Sequence, residues 1–428
     1  MELKSIPVLL ITANVGSLFE DPKAMLDVWV AELLATVGRL DVKFVALHCQ
    51  EIGGKDYREN MKYVSDFIKL LLASEELRPF DRARIFVDEE FDVPQNFTSL
   101  ASFYFVHESL ASASLFDFDA DAFTPVTGRH VHTGDIELVP TKEKAKFPRH
   151  FFPEGKWSRK GFMRTRWSLD GTSVDLVNLH LFHDASNLVA METRPSAYAR
   201  NRERALRYVV ERFRSDSYEA TPCFLFGDFN FRVDTRGVVR ELEQESTTTL
   251  RLQNNKKVDS TRLQVVKDDG DVALTVGKKQ FKMADEERCD WLKPYDLETL
   301  AFQATLTEFP VTFSPSYPFE EDVFKPKSYM PTRCPSWCDR ILLGHSAKKL
   351  VDPHVDVRYD MIGQEVCMGD HKPVYAKLAI KTTTEASGDE FGAVAPEEPC
   401  TNPQTRCSRY VSFKDAEDVT KVFLESSL

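Results

Sequence analysis

The sequence lacks the features that mark membrane-spanning and disulfide-stapled proteins. None of its apolar runs reaches the roughly 20 residues that a helix needs to cross a bilayer. Its eight cysteines follow neither a disulfide pattern nor a zinc-binding spacing, and 428 residues with 42% hydrophobic content need no covalent crosslinks. The composition therefore predicts a globular cytoplasmic protein with reduced thiols.

Positive charge is also in short supply. The 55 lysines and arginines are outnumbered by 67 aspartates and glutamates, which gives a formal net charge of -12. A dedicated nucleic-acid binder carries a basic face that neutralises phosphates, so we expect no nucleic-acid partner. An anionic small molecule would have to be bound by a local basic patch.

Short apolar segments alternate with helical patterns along the chain. Apolar side chains recur every three or four residues over 22–37, 56–73 and 195–213, which predicts three helices, with Pro195 suited to a first helical turn. Segments rich in β-branched and aromatic residues predict strands. These strands cover residues 8–12, 44–47, 101–106, 162–167, 174–179, 223–226, 340–343 and 374–379. The alternation predicts a mixed α/β fold.

Two segments depart from this pattern. Residues 244–282 are polar and, apart from Val272–Val276, poor in strand signals, which predicts a mobile insertion. Near the end of the chain Thr, Ser, Gly, Pro and Glu predominate, and they bury too little apolar surface to offset the entropy lost on folding. We therefore expect one folded domain over residues 1–381 and a flexible tail over 382–428, with a short amphipathic helix near residues 416–424.

Two oxygen-bearing side chains follow the first two predicted strands. Asn14 ends the first strand and Glu51 comes directly after the second. A carboxylate beside an amide oxygen suits Mg²⁺, which binds few carboxylates and keeps waters for a substrate phosphate. Glu51 is the stronger ligand candidate, since Asn14 is equally well explained as a turn former before Gly16.

Three further polar clusters lie at the ends of apolar runs. The run that breaks at Gly227 presents Asp228 and Asn230, Asp339 opens a later strand, and Asp370-His371 precedes the last one. Loops at the ends of strands in a rigid sheet commonly carry catalytic groups. These clusters therefore predict a single active site with acids, an amide and an imidazole.

A histidine and a basic segment complete the candidate set. His180 ends the strand over 174–179 and is predicted to contact phosphate or donate a proton, although a hydrogen-bonded core histidine explains it as well. Residues 156–166 hold five basic residues and no acidic one. Such a segment indicates an anion-binding site, with a solvated strand face as the alternative. Arg159, Lys160 and Arg164 are its candidate ligands.

Five short motifs occur together in the order seen in inositol polyphosphate 5-phosphatases. They are Asn14-Val15-Gly16, Gln50-Glu51, Gly227-Asp228-Phe229-Asn230-Phe231-Arg232, Pro335-Ser336-Trp337-Cys338-Asp339-Arg340 and Gly369-Asp370-His371-Lys372-Pro373. The chain resembles this family, and particularly its type I group, over about residues 5–380. The resemblance implies a DNase I-like fold, a four-layer α/β/β/α sandwich of two mixed sheets flanked by helices.

The resemblance also implies roles for the matching positions. Glu51, with Asn14 nearby, resembles the Mg²⁺ site. Asp370 matches the acid that lies near the metal, and His371 matches the imidazole of the hydrolytic machinery. Asp339 resembles the acid that orients His371, and Asp228 resembles the acid that positions or deprotonates the attacking water. Asn230 resembles a donor to the scissile phosphate, and His180 resembles the histidine that contacts the phosphoryl oxygens.

The implied substrates are soluble Ins(1,4,5)P3 and Ins(1,3,4,5)P4, whose other phosphates would meet Arg159, Lys160 and Arg164, with Arg232 and Lys372 as helpers. The implied reaction removes the 5-phosphate and ends a calcium signal. A lipid 5-phosphatase and a metal-dependent nuclease of the same superfamily are the alternatives. We expect a monomer.

The tail departs from the type I pattern. Type I enzymes typically end in a prenylation box, whereas this sequence ends Glu425-Ser426-Ser427-Leu428, without a cysteine four residues from the end. We therefore expect no anchoring through a C-terminal prenyl group. Peripheral association with the plasma membrane by other means is left open.

Overall fold

The computed structural model describes residues 5–151, 158–244, 249–255, 260–284 and 289–382. The expected amphipathic helix near residues 416–424, and all of the expected tail except residue 382, lie outside these residues. Within them the strands are β1 (Ser5–Asn14), β2 (Phe44–Gln50), β3 (Arg82–Val87), β4 (Ala101–Val106), β5 (Ala113–Asp117), β6 (Ala122–Pro125), β7 (Arg129–His132), β8 (Glu143–Lys146), β9 (Gly161–Leu169), β10 (Thr172–His180), β11 (Cys223–Asp228), β12 (Thr249–Asn255), β13 (Ser260–Val266), β14 (Val272–Gly277), β15 (Gln280–Met283), β16 (Leu306–Glu308), β17 (Asp339–Gly344), β18 (Arg358–Met361) and β19 (Val374–Lys381).

The helices alternate with these strands. The α-helices are α1 (Gly16–Glu20), α2 (Pro22–Arg39), α3 (Tyr57–Ala73), α4 (Asn187–Ala190), α5 (Ala197–Arg214), α6 (Thr235–Gln244) and α7 (His345–Leu350), and short 3₁₀ helices cover Arg149–Phe151, Asp290–Tyr295 and Glu298–Phe302. The eight strands and the three helices predicted within the described residues are all present. The third helix begins at Ala197 rather than Pro195, because the Ser196 side chain caps it by accepting a hydrogen bond from the Ala199 amide.

Two mixed sheets form the centre of the protein. The first has the strand order β18-β19-β1-β2-β4-β3-β7, and the second has the order β16-β17-β11-β10-β9-β5-β6 with β8 paired to β9. Parallel pairs (β1 with β2, and β10 with β11) sit among antiparallel ones in the respective sheets.

Alternation along the strands divides the core into layers. Leu10 on β1 joins Phe44, Trp167 and Phe226 in the cluster between the two sheets. The neighbouring positions of β1 point the other way, into a second cluster with α2 and α3, and a third cluster packs α5 onto the second sheet. Each large apolar side chain buried in this way contributes roughly 1.5–3 kcal/mol. The arrangement confirms the expected α/β/β/α sandwich of the DNase I type.

Residues 244–282, predicted to be poor in strands, instead contain four strands. β12, β13, β14 and β15 form an antiparallel four-stranded sheet of their own. Leu263 and Val265 on β13 and Leu274 and Val276 on β14 are buried, so the strands alternate within a polar context that conceals the pattern. The side-chain amide of Asn187 on α4 donates to the carbonyls of residues 277, 280 and 332, which ties this sheet to the main body.

The strand register brings the polar chain segments to one edge of the sandwich. Asn14 lies beside Gln50 at the ends of β1 and β2, while Asp228 lies between His180 and Asp339 on the neighbouring strands. Gly227 is required for this approach, since a Cβ there would lie 2.0 Å from the carbonyl oxygen of residue 179. No helix of the described residues is both long enough and apolar enough to span a membrane.

Candidate active site

Asp228 is the hub of the polar cluster at this edge. Its Oδ2 accepts hydrogen bonds from Nδ2 of Asn14 (3.1 Å) and Nδ2 of Asn230 (2.9 Å), and its Oδ1 accepts from the Asn230 backbone amide (2.8 Å). Nε2 of His180 lies 3.3 Å from the same Oδ2. Burial raises the pKa of Asp228, but the charges and contacts of His371 and His180 lower it well below its usual range. Asp228 is therefore held as a carboxylate, and it joins the two sheets through Asn14.

Asn230 is held in a backbone conformation that few residues adopt. Its φ of 52° is left-handed, a region that asparagine tolerates better than most side chains. Besides its bond to Asp228, Nδ2 donates to the carbonyl of residue 181 (3.1 Å). Both amide protons are thus engaged within the protein. The predicted role of Asn230 as a donor to phosphate requires at least one of these bonds to be exchanged when substrate binds.

Asp339 and His371 form a buried acid–imidazole pair. Nδ1 of His371 lies 2.8 Å from Oδ2 of Asp339, and that oxygen also accepts from the Ser316 hydroxyl (2.7 Å). Burial lowers the pKa of His371, but the carboxylates of Asp339 and Asp228 raise it to about 9. His371 is therefore an imidazolium at neutral pH, with Nδ1 fixed by Asp339 and Nε2 left to donate elsewhere.

Asp370 is held by a serine from the other end of the chain. The Ser17 hydroxyl donates to Oδ1 of Asp370 (2.8 Å) and accepts from the Asp370 amide (3.0 Å). The preceding Gly369 has φ 101°, and a Cβ there would lie 2.7 Å from Cβ of Ser17. A glycine is thus needed to bring Asp370 to this side of the cluster.

Glu51 lies beside the cluster and retains access to solvent. Its carboxylate is 24% exposed, and its oxygens lie 3.6–3.8 Å from nitrogens of Arg159, Lys160 and His180. Burial raises the pKa of Glu51, but Lys160, His180 and Arg159 outweigh it and lower the pKa to about 2. The side chain is therefore ionised throughout the physiological range.

Lys160 and His180 are in direct contact. Nζ of Lys160 approaches Nε2 of His180, and both side chains are buried. Burial lowers the pKa of Lys160 to about 8, and burial together with Lys160 lowers the pKa of His180. Nε2 of His180 thus lies between Lys160 and Asp228, whereas its Nδ1 has no partner among the described residues.

The residues around Gly16 fit a divalent cation. A Cβ on Gly16 would lie 3.0 Å from Oε2 of Glu51 and 3.3 Å from Oδ1 of Asn14, so the two oxygens border the same small space. No hydrogen bond between described residues involves the Glu51 carboxylate, and its ion pairs are 3.6–3.8 Å long, so a metal could bind its oxygens without displacing a hydrogen bond. Hard oxygen ligands of this kind suit Mg²⁺ or Ca²⁺.

A second group of possible ligands fits a metal less well. Asp228, Asp339 and His371 bring one ligand atom each within 4.8 Å of one another. His371 is protonated at neutral pH and bound to Asp339, and a metal would have to displace that proton. Glu51 with Asn14 therefore remains the better candidate for the metal site.

Two of the predicted basic residues, Arg159 and Arg232, line the cluster with guanidinium nitrogens that face it. Arg159 donates from Nη1 to the carbonyl of residue 54 and faces Glu51 with Nη2. Nη2 of Arg232 donates to Oδ1 of Asn230 (2.6 Å), whereas its Nε and Nη1 are buried without a partner among the described residues. The guanidinium lies over the ring of Tyr317, which in turn packs on His371. Unpaired buried guanidinium nitrogens indicate an anionic ligand.

Arg164 is not part of the cluster, contrary to the prediction. It lies in the middle of β9, opposite Val177, with only 1% of its side chain exposed. Its guanidinium pairs with Asp216 (2.6 Å), Glu143 (2.9 Å) and Asp175 (3.5 Å). Strand alternation correctly separates the two faces, but it does not reveal which face meets the substrate.

Lys372 is likewise committed to the protein. Its Nζ donates to the carbonyls of residues 363, 364 and 366 and lies 4.7 Å from the centre of the Phe319 ring. All three of its protons are used, so it stabilises the loop before β19. A direct contact of Lys372 with substrate is therefore not supported.

Sequence reasoning missed several supporting residues. Ser17 and Ser316 position the two acids, and Gln50 and Asn178 link the sheets beneath the cluster through a 2.8 Å hydrogen bond. Ser17 directly follows the motif Asn14-Val15-Gly16, and Gln50 belongs to the motif Gln50-Glu51. Their position in the sequence could therefore have identified both. Ser316 and Asn178 carry no sequence signal of their own.

Comparisons with known proteins identify the family to which this chain belongs. The family model described as Endonuclease/Exonuclease/phosphatase family 2 matches residues 117–377, which makes the chain a member of this class of phosphoesterase. Inositol polyphosphate-5-phosphatase A of Homo sapiens is 45% identical over 383 residues, covering 87% of this chain and 93% of that protein. The probable type I inositol 1,4,5-trisphosphate 5-phosphatase of Caenorhabditis elegans is 34% identical over 409 residues, covering 86% and 98%. The chain belongs to the inositol polyphosphate 5-phosphatase family.

A more distant solved structure is also similar. It is the inositol polyphosphate 5-phosphatase domain of SPsynaptojanin in complex with inositol (1,4)-bisphosphate and calcium ion, at 15% identity and a TM-score of 0.46. The match covers 89% of this chain and 85% of that chain.

Proposed function

We propose that this protein is a Mg²⁺-dependent phosphomonoesterase that removes the 5-phosphate from soluble inositol polyphosphates. It converts Ins(1,4,5)P3 to Ins(1,4)P2 and Ins(1,3,4,5)P4 to Ins(1,3,4)P3, and thereby terminates calcium signals. Support comes from relatives named for this activity that match nearly their whole length. The observation that carries the proposal is the convergence of an ionised Asp228, an imidazolium His371 and the unpaired nitrogens of Arg232 beside Glu51.

The reaction breaks the bond between phosphorus and the ring oxygen and forms a bond to a water oxygen. Asp228 orients that water by accepting one of its protons in a hydrogen bond. Because the pKa of Asp228 is strongly lowered, it is a weak base, and its contribution is mainly positional. A loose phosphoryl-transfer transition state demands little more of the nucleophile than correct alignment.

Charge on the phosphoryl oxygens is met by donors of this chain. His371 presents Nε2–H while Asp339 holds Nδ1, so the imidazolium needs no rearrangement during the reaction. Asn230 and His180 supply further polar groups next to Asp228. Glu51 and Asn14 would hold a divalent cation, which would supply Lewis-acid stabilisation of the same oxygens. We take this ion to be Mg²⁺ under cellular conditions.

The remaining phosphates of the substrate are met by Arg159, Lys160 and Arg232. These side chains surround Glu51 and Asn230 and give an acidic protein a local excess of positive charge. Arginine binds phosphate oxygens in a bidentate manner, which favours a fixed orientation of the ring. We place the enzyme in the cytoplasm as a monomer, where soluble substrates reach this edge of the sandwich.

Phosphate release tests the proposal directly. Wild type and Asp228→Asn are assayed with Mg²⁺ on Ins(1,4,5)P3, Ins(1,3,4,5)P4, phosphatidylinositol 4,5-bisphosphate and an abasic DNA duplex. We expect turnover of the two soluble inositol phosphates, abolished by Asp228→Asn and retained by Asp92→Asn, whose side chain forms only an exposed ion pair with Arg58. Turnover of lipid alone would indicate a lipid phosphatase, cleavage of DNA alone a nuclease, and no turnover at all would refute the proposal.

A further inference from the structure

Arg202 on α5 lies outside the predicted site, yet it contacts the two loops that carry the site. Its side chain is 0% exposed. Nη1 donates to the carbonyl of Phe182 (3.0 Å) and to Oδ1 of Asp184 (2.5 Å), in the loop that follows His180. On its other side the guanidinium forms a bidentate pair with Glu298, through Nε (2.8 Å) and Nη2 (2.6 Å).

Glu298 carries this contact to the second loop. Its Oε1, already bound to Arg202, accepts a hydrogen bond from the backbone amide of Arg232 (3.0 Å). Arg232 lies two residues after Asn230 and four after Asp228 in the loop that follows β11. One buried guanidinium thus connects the backbone beyond His180 with the backbone of Arg232.

Arg232 borders a space into which its side chain could turn. A cavity of about 280 Å³ borders Arg232, Val233 and Glu298, and the sides of α5 and the 3₁₀ helix Glu298–Phe302 close it. Nε and Nη1 of Arg232 make no hydrogen bond to the described residues that would oppose a turn into this space. The backbone amide bond to Glu298 fixes the main chain of Arg232, while the Nη2 bond to Asn230 and the contact with the Tyr317 ring hold its guanidinium.

We propose that Arg202, acting through Glu298, is a positioning residue that holds Arg232 towards the substrate and away from the cavity. The inference rests on the proposed function, because Arg232 is taken to bind a phosphate of the inositol ring. Lysine cannot reproduce the bidentate pair, since it is a point donor without a planar fork. Arg202→Lys should therefore loosen Glu298 and Arg232 while it keeps the buried positive charge.

Steady-state kinetics on Ins(1,4,5)P3 test the proposal. We expect Arg202→Lys to raise KM about ten- to hundredfold with a smaller change in kcat, because misplacement of a binding group by a distant change can cost about 100-fold. Arg207→Lys is the matched control on the same helix, where Arg207 forms a half-exposed pair with Glu203, and its KM should equal that of wild type.

A double-mutant cycle separates positioning from general stability. In an Arg232→Lys background, Arg202→Lys should cause little further rise in KM, because both changes affect the same contact. If the two effects multiply, or if Arg202→Lys lowers the unfolding temperature without changing KM, the proposal is wrong. Should Arg202→Lys fail to fold, Glu298→Gln gives the same test with a side chain of equal size.

Hydrogen exchange provides a readout that does not need activity. The Arg232 amide should exchange at least about tenfold faster in Arg202→Lys or Glu298→Gln than in wild type or Arg207→Lys, because its acceptor is no longer fixed. Unchanged exchange would overturn the positioning role. If wild type released no phosphate from inositol phosphates but exchange changed as expected, the proposed function would fail while the structural connection stood.

Discussion

The imidazole of His48 on β2 stacks on the ring of Phe226 on β11, so a histidine joins the two sheets at the centre of the sandwich. The ring centres are 3.7 Å apart and the planes differ by 4°. Nδ1 of His48 lies 3.2 Å from the Phe226 carbonyl and Nε2 lies 2.9 Å from the Tyr104 hydroxyl. A neutral imidazole satisfies both contacts by donating from Nδ1 and accepting at Nε2. An imidazolium would leave a buried positive charge between the sheets.

His48 should make the fold sensitive to acid. Burial lowers its pKa from 6.5 to about 3, despite hydrogen bonds to the carbonyls of Phe226 and Val177 that raise it. Because the unfolded chain binds the proton more readily, the stabilising contribution of neutral His48 is complete above pH 6.5 and is lost as pH falls towards 3. Between pH 7.5 and 5.0 this amounts to about 2 kcal/mol of unfolding free energy.

Urea unfolding of His48→Gln at pH 7.5 and 5.0 measures this contribution. The variant should be less stable than wild type at pH 7.5, but it should lose about 2 kcal/mol less than wild type on acidification. His354→Gln, a change at an exposed histidine, should keep the wild-type pH dependence. Equal losses in wild type and His48→Gln would show that His48 does not control acid stability.

The sequence predicts this architecture well where a strand is a continuous apolar run. β1, with Leu9 and Leu10 buried on opposite faces, is recognisable from its pattern alone. Within the 244–282 segment only Val272–Val276, which lies in β14, was recognised, because in β13 few apolar positions lie among polar residues, and the separate sheet was missed. His48 is similarly hidden, because an isolated histidine in a strand does not reveal that it packs against a ring from another sheet.

Neutralising Asp339 should slow the reaction and change its pH dependence. The carboxylates of Asp339 and Asp228 overcome the effect of burial and raise the pKa of His371 to about 9, so the imidazolium is lost only as pH rises through about 9. In Asp339→Asn that pKa falls, and the alkaline limit of kcat should move to lower pH. We expect kcat at pH 7 to fall by roughly 10³- to 10⁴-fold, as for other acid–histidine pairs.

The pH profile of kcat from pH 6 to 10 checks this expectation. Asp356→Asn changes an exposed aspartate and serves as the control, with an unchanged profile. A variant Asp339→Asn with reduced kcat but an unmoved alkaline limit would mean that His371 is not the group whose deprotonation ends activity.

Removing the charge of Glu51 should weaken metal binding more than it disturbs the fold. The carboxylate makes no hydrogen bond with other described residues and borders the space next to Gly16 together with Asn14. In Glu51→Gln we expect the Mg²⁺ concentration for half-maximal activity to rise at least about 100-fold, since even loss of groups that support a ligand costs 10–100-fold. Calorimetric titration with Mn²⁺ measures the same loss without turnover.

The control for the metal site lies on α3. Glu59→Gln changes an acidic residue in the first turn of that helix and should leave metal affinity unchanged. Retained affinity in Glu51→Gln, together with loss in Asp339→Asn, would instead place the metal among Asp228, Asp339 and His371.

The acids and the imidazole of the site could be predicted more fully than the residues around them, because they lie at the ends of strands. Asp228, Asp339 and His371 follow or precede strong apolar runs, and strand order then brings them together. The partners of each arginine depend on which chain segments cover that face of the sheet. Nothing in residues 156–166 reveals that Phe118 and Phe213 cover Arg164. Basic residues of similar appearance therefore have different uses in this chain.

Arg164 and Arg232 should respond to the same substitution in opposite ways. Arg164→Met leaves Asp216 and Glu143 without a buried partner and removes one of the two partners of Asp175, so we expect a loss of about 3 kcal/mol of unfolding free energy. The value lies at the low end for such pairs because Arg166 still binds Asp175 (2.7 Å). KM for Ins(1,4,5)P3 should be unchanged in the folded fraction.

Arg232→Met removes two buried nitrogens that have no partner within the described residues, which offsets the loss of the bond to Asn230 and of the contact with Tyr317, so stability should change little. KM should rise about 10- to 100-fold, since a hydrogen bond to a charged group contributes about 1.5–3 kcal/mol. Urea unfolding and steady-state kinetics on both variants provide the comparison. A raised KM in Arg164→Met with normal stability would show that Arg164 contacts the substrate. A residue that contacts only the buried ion-pair network can change substrate binding only by destabilising the fold.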